Sequence, residues 1–153
     1  MRIAASLAVA AFVLAACGGT APTPTPDPRA PAGYRRAAYG HLNEIATSVT
    51  AAYAACTKDP GSPCASALAR QRERQRPHAA WLRTTPPPPG CGVLSDGYLG
   101  VVADADAFFG DGIGAASGED PAATLGVVTG RYERFTAGKS AARSPRPDDR
   151  CKE

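Results

Sequence analysis

YRRAAYGHLNEIATSVTAAYAAC, residues 34–56, decides the fold. Tyr34, Ala38, Leu42, Ile45, Val49, Ala52 with Tyr53, and Cys56 recur at steps of three and four. That spacing draws an apolar stripe down one face of a helix, with polar residues between. Thr57-Lys58-Asp59-Pro60-Gly61 breaks it. Ser62-Pro63 then restarts a helix, Ser as N-cap and Pro at the first helical position. This second helix, about 63–84, carries Ala65, Leu68, Ala79 and Leu82 on one side, with Arg72 among them. Pro77 lacks an N–H and is expected to kink or interrupt it. Thr85-Pro86-Pro87-Pro88-Pro89-Gly90 is a hard stop.

Downstream the same period returns twice. Leu94, Tyr98, Val101, Ala105, Phe108 with Phe109, and Gly112 stripe a third helix from about Gly92 to Ile113. Each interior Gly costs about 1 kcal/mol against Ala, so Gly97 and Gly100 are read as marks of close helix contacts. Gly110 to Gly118 reads as a turn region. Asp120-Pro121 is a second capping signature, opening a fourth helix to about Ala142 with Leu125, Val128, Tyr132 and Phe135 inside. No alternating strand pattern or repeat interrupts this order. The expected fold is therefore all-α, an antiparallel up-down-up-down four-helix bundle in one domain, residues 33–153 with a polar C-terminal tail. Only 7% of residues are aromatic and the helices are Ala-rich, so the core is thin and covalent staples would compensate.

The bundle selects those staples. Cys56, Cys64, Cys91 and Cys151 allow three pairings. Helix 1 ends where helix 2 begins, bringing Cys56 beside Cys64. Helix 3 begins where helix 4 finishes, bringing Cys91 beside Cys151. Mixed pairs would have to span the bundle, about 30 Å for a 20-residue helix, whereas bridged Cα atoms lie within about 7 Å. An even number of cysteines in an exported protein reads as two disulfides.

Upstream of the first helix, residues 20–32 read TAPTPTPDPRAPA, an extended Pro/Thr spacer that cannot build a core. Before it, Met1-Arg2 is a short positive start, and Ile3 to Ala16 is almost unbroken apolar sequence. That run suits a signal segment and is short for a spanning helix of about 20 residues. It ends on Leu14-Ala15-Ala16-Cys17. These four residues resemble the lipobox of bacterial lipoprotein precursors, and the Pro, Gly, Ala and Arg bias resembles that of GC-rich, actinobacterial-type bacteria. The resemblance implies a signal peptide over residues 1–16, a mature N-terminus at Cys17 carrying a diacylglyceryl thioether and usually an N-acyl chain, and a linker over residues 17–32. It implies attachment to the extracytoplasmic face of the cell membrane by lipid, since two or more chains anchor stably. No later stretch is apolar enough to replace it.

Function is less legible. The formal charge is +3, and removing residues 1–16 takes away only Arg2, leaving 3 − 1 = +2. That is too mild to argue for nucleic acid. No Gly-x-Ser-x-Gly is present and no Cys is left free, so no catalytic residues are expected. Gly138-Lys139-Ser140 lacks the upstream spacing of a phosphate loop. Two His and no CxxC give no expected metal site and no cofactor. His41 and Glu44, one turn apart, read as a surface pair, and His78 as a residue of the Pro77 kink. Asp104 and Asp111 flank one side of the third helix's stripe and Asp106 the other, so they do not converge. Arg72 needs a partner on its apolar side, and counting from the Pro86–Gly90 turn offers Asp104. Arg70, Arg74 and Trp81 share the opposite side of the second helix. An exposed Trp beside two Arg would suit an anionic polymer or an envelope protein; the alternative is that Pro77 rotates the helix phase and Trp81 packs inward. The expected role is a lipid-anchored binding or interaction module. The alternatives are a structural or accessory lipoprotein without ligand and, from another class, a bundle enzyme or metal carrier.

Overall fold

The apolar stripe of residues 34–56 lies on α1, Tyr34–Lys58, in a computed structural model that describes residues 33–144 and Cys151. The expected signal peptide, Cys17, the linker to Ala32 and most of the polar tail lie outside the described residues. Tyr34, Ala38, Leu42, Ile45, Val49, Ala52 and Cys56 are all buried, so the three-and-four spacing translates directly into the inward face. Next come α2, Ser62–Thr84, α3, Gly92–Ala116, and α4, Pro121–Arg143. No strand occurs among the described residues, and no helix among them is long and apolar enough to cross a membrane.

Consecutive helices pack side by side, α1 on α2, α2 on α3, α3 on α4, and α4 returns to α1. This is the antiparallel four-helix bundle that short connections impose. It is not square. α1 and α3 also meet across the middle, while the backbones of α2 and α4 stay apart. Phe108 and Phe109 of α3, Phe135 of α4, and Leu42 and Ile45 of α1 fill the centre. Both disulfides form as the topology requires, Cys56–Cys64 at one pole and Cys91–Cys151 at the other, each with Cα atoms 4.3 Å apart. At the second pole Tyr34 Oη donates to Ser95 Oγ at 3.1 Å, and Arg35 Nη1 donates to the Cys151 carbonyl at 3.1 Å. The start of α1, the start of α3 and the C-terminal cysteine are thus laced together.

Helix ends follow the expected chemistry in one place and depart from it in two. Asp120 caps α4, its Oδ1 accepting from Ala122 N at 2.9 Å and Ala123 N at 3.1 Å, with Pro121 first in the helix. Thr124 adds a tie from α4 to the end of α3 by donating to the Ala115 carbonyl. Thr124 is buried in the first turn where Leu125 was expected, and Leu125 is half-buried. At α2 the N-cap is Gly61, not Ser62, and no side chain caps it. Asp59 Oδ1 instead accepts from Gly61 N and holds the preceding turn. α3 runs three residues past Ile113, so residues 110–116 of the expected turn region are helical, because Ile113 and Ala116 still pack against the core.

The glycines sort differently from the sequence reading. A Cβ on Gly100 would meet nothing within 4 Å. The close approach is at Gly112, where it would stand 3.2 Å from both Leu68 methyls and 3.4 Å from Val128. Pro77 does not interrupt α2, which continues through it to Thr84.

Candidate functional site

The buried row of α2 is Cys64, Leu68, Gln75, Ala79 and Leu82. Its polar member is Gln75, not Arg72. Arg72 is exposed, so it has no buried charge to neutralise, and the expected Arg72–Asp104 pair does not form. The acid at the α2/α3 seam is Asp106. It accepts from Gln75 Nε2 at 3.4 Å and pairs with Arg83. Asp104 turns the other way, onto α4, where its Oδ2 occupies the space a side chain at Gly138 would take. Asp111 also faces α4 and pairs with Arg131. The three carboxylates therefore do not converge, Asp104 and Asp111 facing α4 and Asp106 facing α2, as their positions on the stripe imply.

Of the expected outward patch, Arg70 and Arg74 are exposed, and so are Arg72 and Arg76, the latter pairing with Glu73 at 2.9 Å. Trp81 does not stand out with them. Its ring is half-buried, and its ring contacts among the described residues are both with α1. It stacks on His41 at 4.4 Å between centroids with planes 24° apart, and on Tyr34 at 5.7 Å and 27°. The cause is register. The Cys56–Cys64 bridge pins α2 against α1, so residues equally far from it stand level. Trp81 then lies opposite the N-terminal half of α1, where Tyr34 and His41 sit two turns apart on one face.

The same register brings together the two histidines of the chain. His41 is 56 − 41 = 15 residues before one cysteine, and His78 is 78 − 64 = 14 after the other. Their Nδ1 atoms face each other at 3.0 Å, with ring centroids 5.2 Å apart. One imidazole donates and the other accepts, so each holds its partner's tautomer. The pKa of His41 is lowered, first by burial and second by the charge of His78. His41 does not engage Glu44, which is exposed. Sequence reading missed this pair because it weighed each His against neighbours on its own helix. The signal was in the numbers, equal distances from two cysteines already assigned to each other.

Among the described residues no three His, Cys, Asp or Glu side chains gather as a metal cluster. Among the shallow surfaces that lie apart from the histidines are two beside basic residues. One, between α3 and α4, exposes backbone along Gly110, Gly114, Gly126 and Gly130, flanked by Arg131 and Arg134. The other, between α1 and α4, is floored by Ala46, Ala51 and Ala54 beside Lys139. The α1/α4 seam is also bridged by the parallel stack of Tyr53 on Tyr132, 3.9 Å apart, and by Arg143 over Tyr39. Against this geometry, no family model, no curated protein and no solved structure matches the chain.

Proposed function

We propose that this chain is a lipid-anchored helical interaction module on the extracytoplasmic face of the cell envelope, without catalytic activity of its own. The observation that carries the reading is the arithmetic of its 5 cysteines. Four are consumed by two bridges, one at each pole of the bundle. Disulfides of that kind persist in exported proteins and not in a reducing cytosol. The fifth, Cys17, ends an apolar run after Leu14-Ala15-Ala16, as a lipobox would require. Residues 20–32 then serve as a Pro/Thr spacer between lipid and bundle. The bridged cysteines offer no thiolate for nucleophilic chemistry, which supports a non-catalytic role.

A narrower reading, an accessory lipoprotein without a ligand, is favoured by one observation. Among the described residues only Tyr39 and Val127 are large hydrophobics with substantial exposure, and Arg143 covers the Tyr39 ring. Neither reading assigns an envelope protein or an anionic polymer to a defined surface, since Trp81 is turned away from Arg70 and Arg74.

The anchor is tested by Cys17→Ser. Wild-type chain expressed with its N-terminal segment should partition into detergent and show the mass of a diacylglyceryl Cys17 species lacking residues 1–16. The variant should stay in the aqueous phase, because no later segment can take over the attachment. A wild-type protein that keeps Met1 and carries no lipid would overturn the reading.

A further inference from the structure

We propose that His41 and His78 form a two-histidine site for a divalent transition-metal ion of the imidazole-preferring, tetragonal kind, with Cu2+ the best fit. The inference goes beyond the anchoring reading and does not depend on it. Two helices converge here to aim two Nδ1 atoms at one another at 3.0 Å. An ion about 2.1 Å from each nitrogen would subtend an angle of about 90° between them, the cis angle of a square-planar or octahedral ion and tighter than a tetrahedral one. The separation thus suits a shared metal, each ring turning so that its Nδ1 lone pair aims at the ion instead of at the other nitrogen.

The surroundings favour the exchange. Binding needs the unprotonated imidazole, and burial together with His78 holds His41 toward that form. The proton on the donating Nδ1 moves to Nε2 of the same ring, so binding through both Nδ1 atoms releases no net proton from neutral imidazoles. Both rings are half-buried, which leaves the remaining coordination positions open to water. The stack on Trp81 holds the His41 ring in plane, 4.4 Å from the indole. Cu2+ stands highest among the first-row divalent ions for nitrogen donors. Among the described residues no third His, Cys, Asp or Glu side chain gathers with them, so the site rests on the two imidazoles.

Trp81 is the only tryptophan of the chain, which makes it the reporter. The full chain is taken with Cys17→Ser throughout, so that no thiol competes, and titrated with CuCl2 while indole emission is followed. A paramagnetic ion seated against His41 should quench most of the emission at saturation. In His78→Gln, whose helicity is checked by circular dichroism, the half-quenching concentration should rise at least about tenfold. Electron paramagnetic resonance of the Cu2+ complex with both histidines present should show two imidazole nitrogens. Quenching unchanged by His78→Gln, no quenching at all, or a spectrum lacking imidazole nitrogens would each overturn the site.

Discussion

His41 carries two consequences, one for metals and one for protons. Its pKa is depressed in the folded chain, by burial first and by His78 second. The unfolded chain, with an ordinary value near about 6.5, therefore takes up a proton that the folded chain refuses. Unfolding binds protons in that window, so stability is full above about pH 6.5 and falls as pH drops toward the folded value. Melting temperatures at pH 7.5 and pH 5.5 should differ more for the wild type than for His41→Gln. Equal differences would mean that carboxylates, not this imidazole, set the slope. The pair also marks what a single-helix reading leaves out. A periodic stripe says which face of α1 is inward, but a half-buried residue on the stripe's edge is placed by its neighbour on another helix.

Element by element, the inward faces of α1 and α3 are legible because their apolar spacing is unbroken, and every expected stripe residue of both faces inward or packs on the core, although α3 ends later than its spacing suggests. For α2 the expected side is the inward one, since Leu68, Ala79 and Leu82 are buried, but Arg72 does not belong to it. Its inward row is short of large apolar residues, so Arg72 was placed where Gln75 belongs, and the Arg72–Asp104 pair followed from that slip. Glycine was misread for a different reason. Composition shows where a Gly stands but not what a side chain there would meet. Only the packed helices separate Gly112, pressed by Leu68 and Val128, from Gly100, which faces open space. Gly100→Ala should therefore stabilise the protein by up to about 1 kcal/mol through helix propensity. Gly112→Leu should destabilise it by about 1–3 kcal/mol through overpacking. Urea melts of the two variants read both signs, and a stabilised Gly112→Leu would show that α3 can move away from α2 and α4 without cost.

For the whole molecule, topology alone predicted the disulfide map, because an antiparallel bundle allows one pairing by distance. The two bridges differ in the chain they restrain. On the chain-entropy account the 56–64 bridge contributes about 2.6 kcal/mol and the 91–151 bridge about 4.3 kcal/mol. Cys151→Ala, with Cys91 capped, should lower the melting temperature more than Cys64→Ala with Cys56 capped. The opposite order would mean that strain or residual unfolded structure outweighs loop length. The core also reflects the whole. α2 and α4 stay apart while α1 and α3 meet, so the bundle is flattened and its aromatic contacts concentrate on α1, at Tyr34, His41 and Tyr53.

The lacing of Tyr34 to Ser95 and of Arg35 to the Cys151 carbonyl gives the molecule a near side and a far side. The described chain enters at Gly33 and reaches Cys151 at the same pole, while Asp59–Gly61 and Ser117–Asp120 turn at the opposite one. On the proposed lipid anchoring, an affinity tag carried beyond Cys151 would leave the bundle at the pole where the described chain enters, the one turned toward the surface. An epitope or reporter inserted between Ser117 and Asp120 would stand about one bundle length farther out, clear of that surface and accessible to an antibody on intact cells.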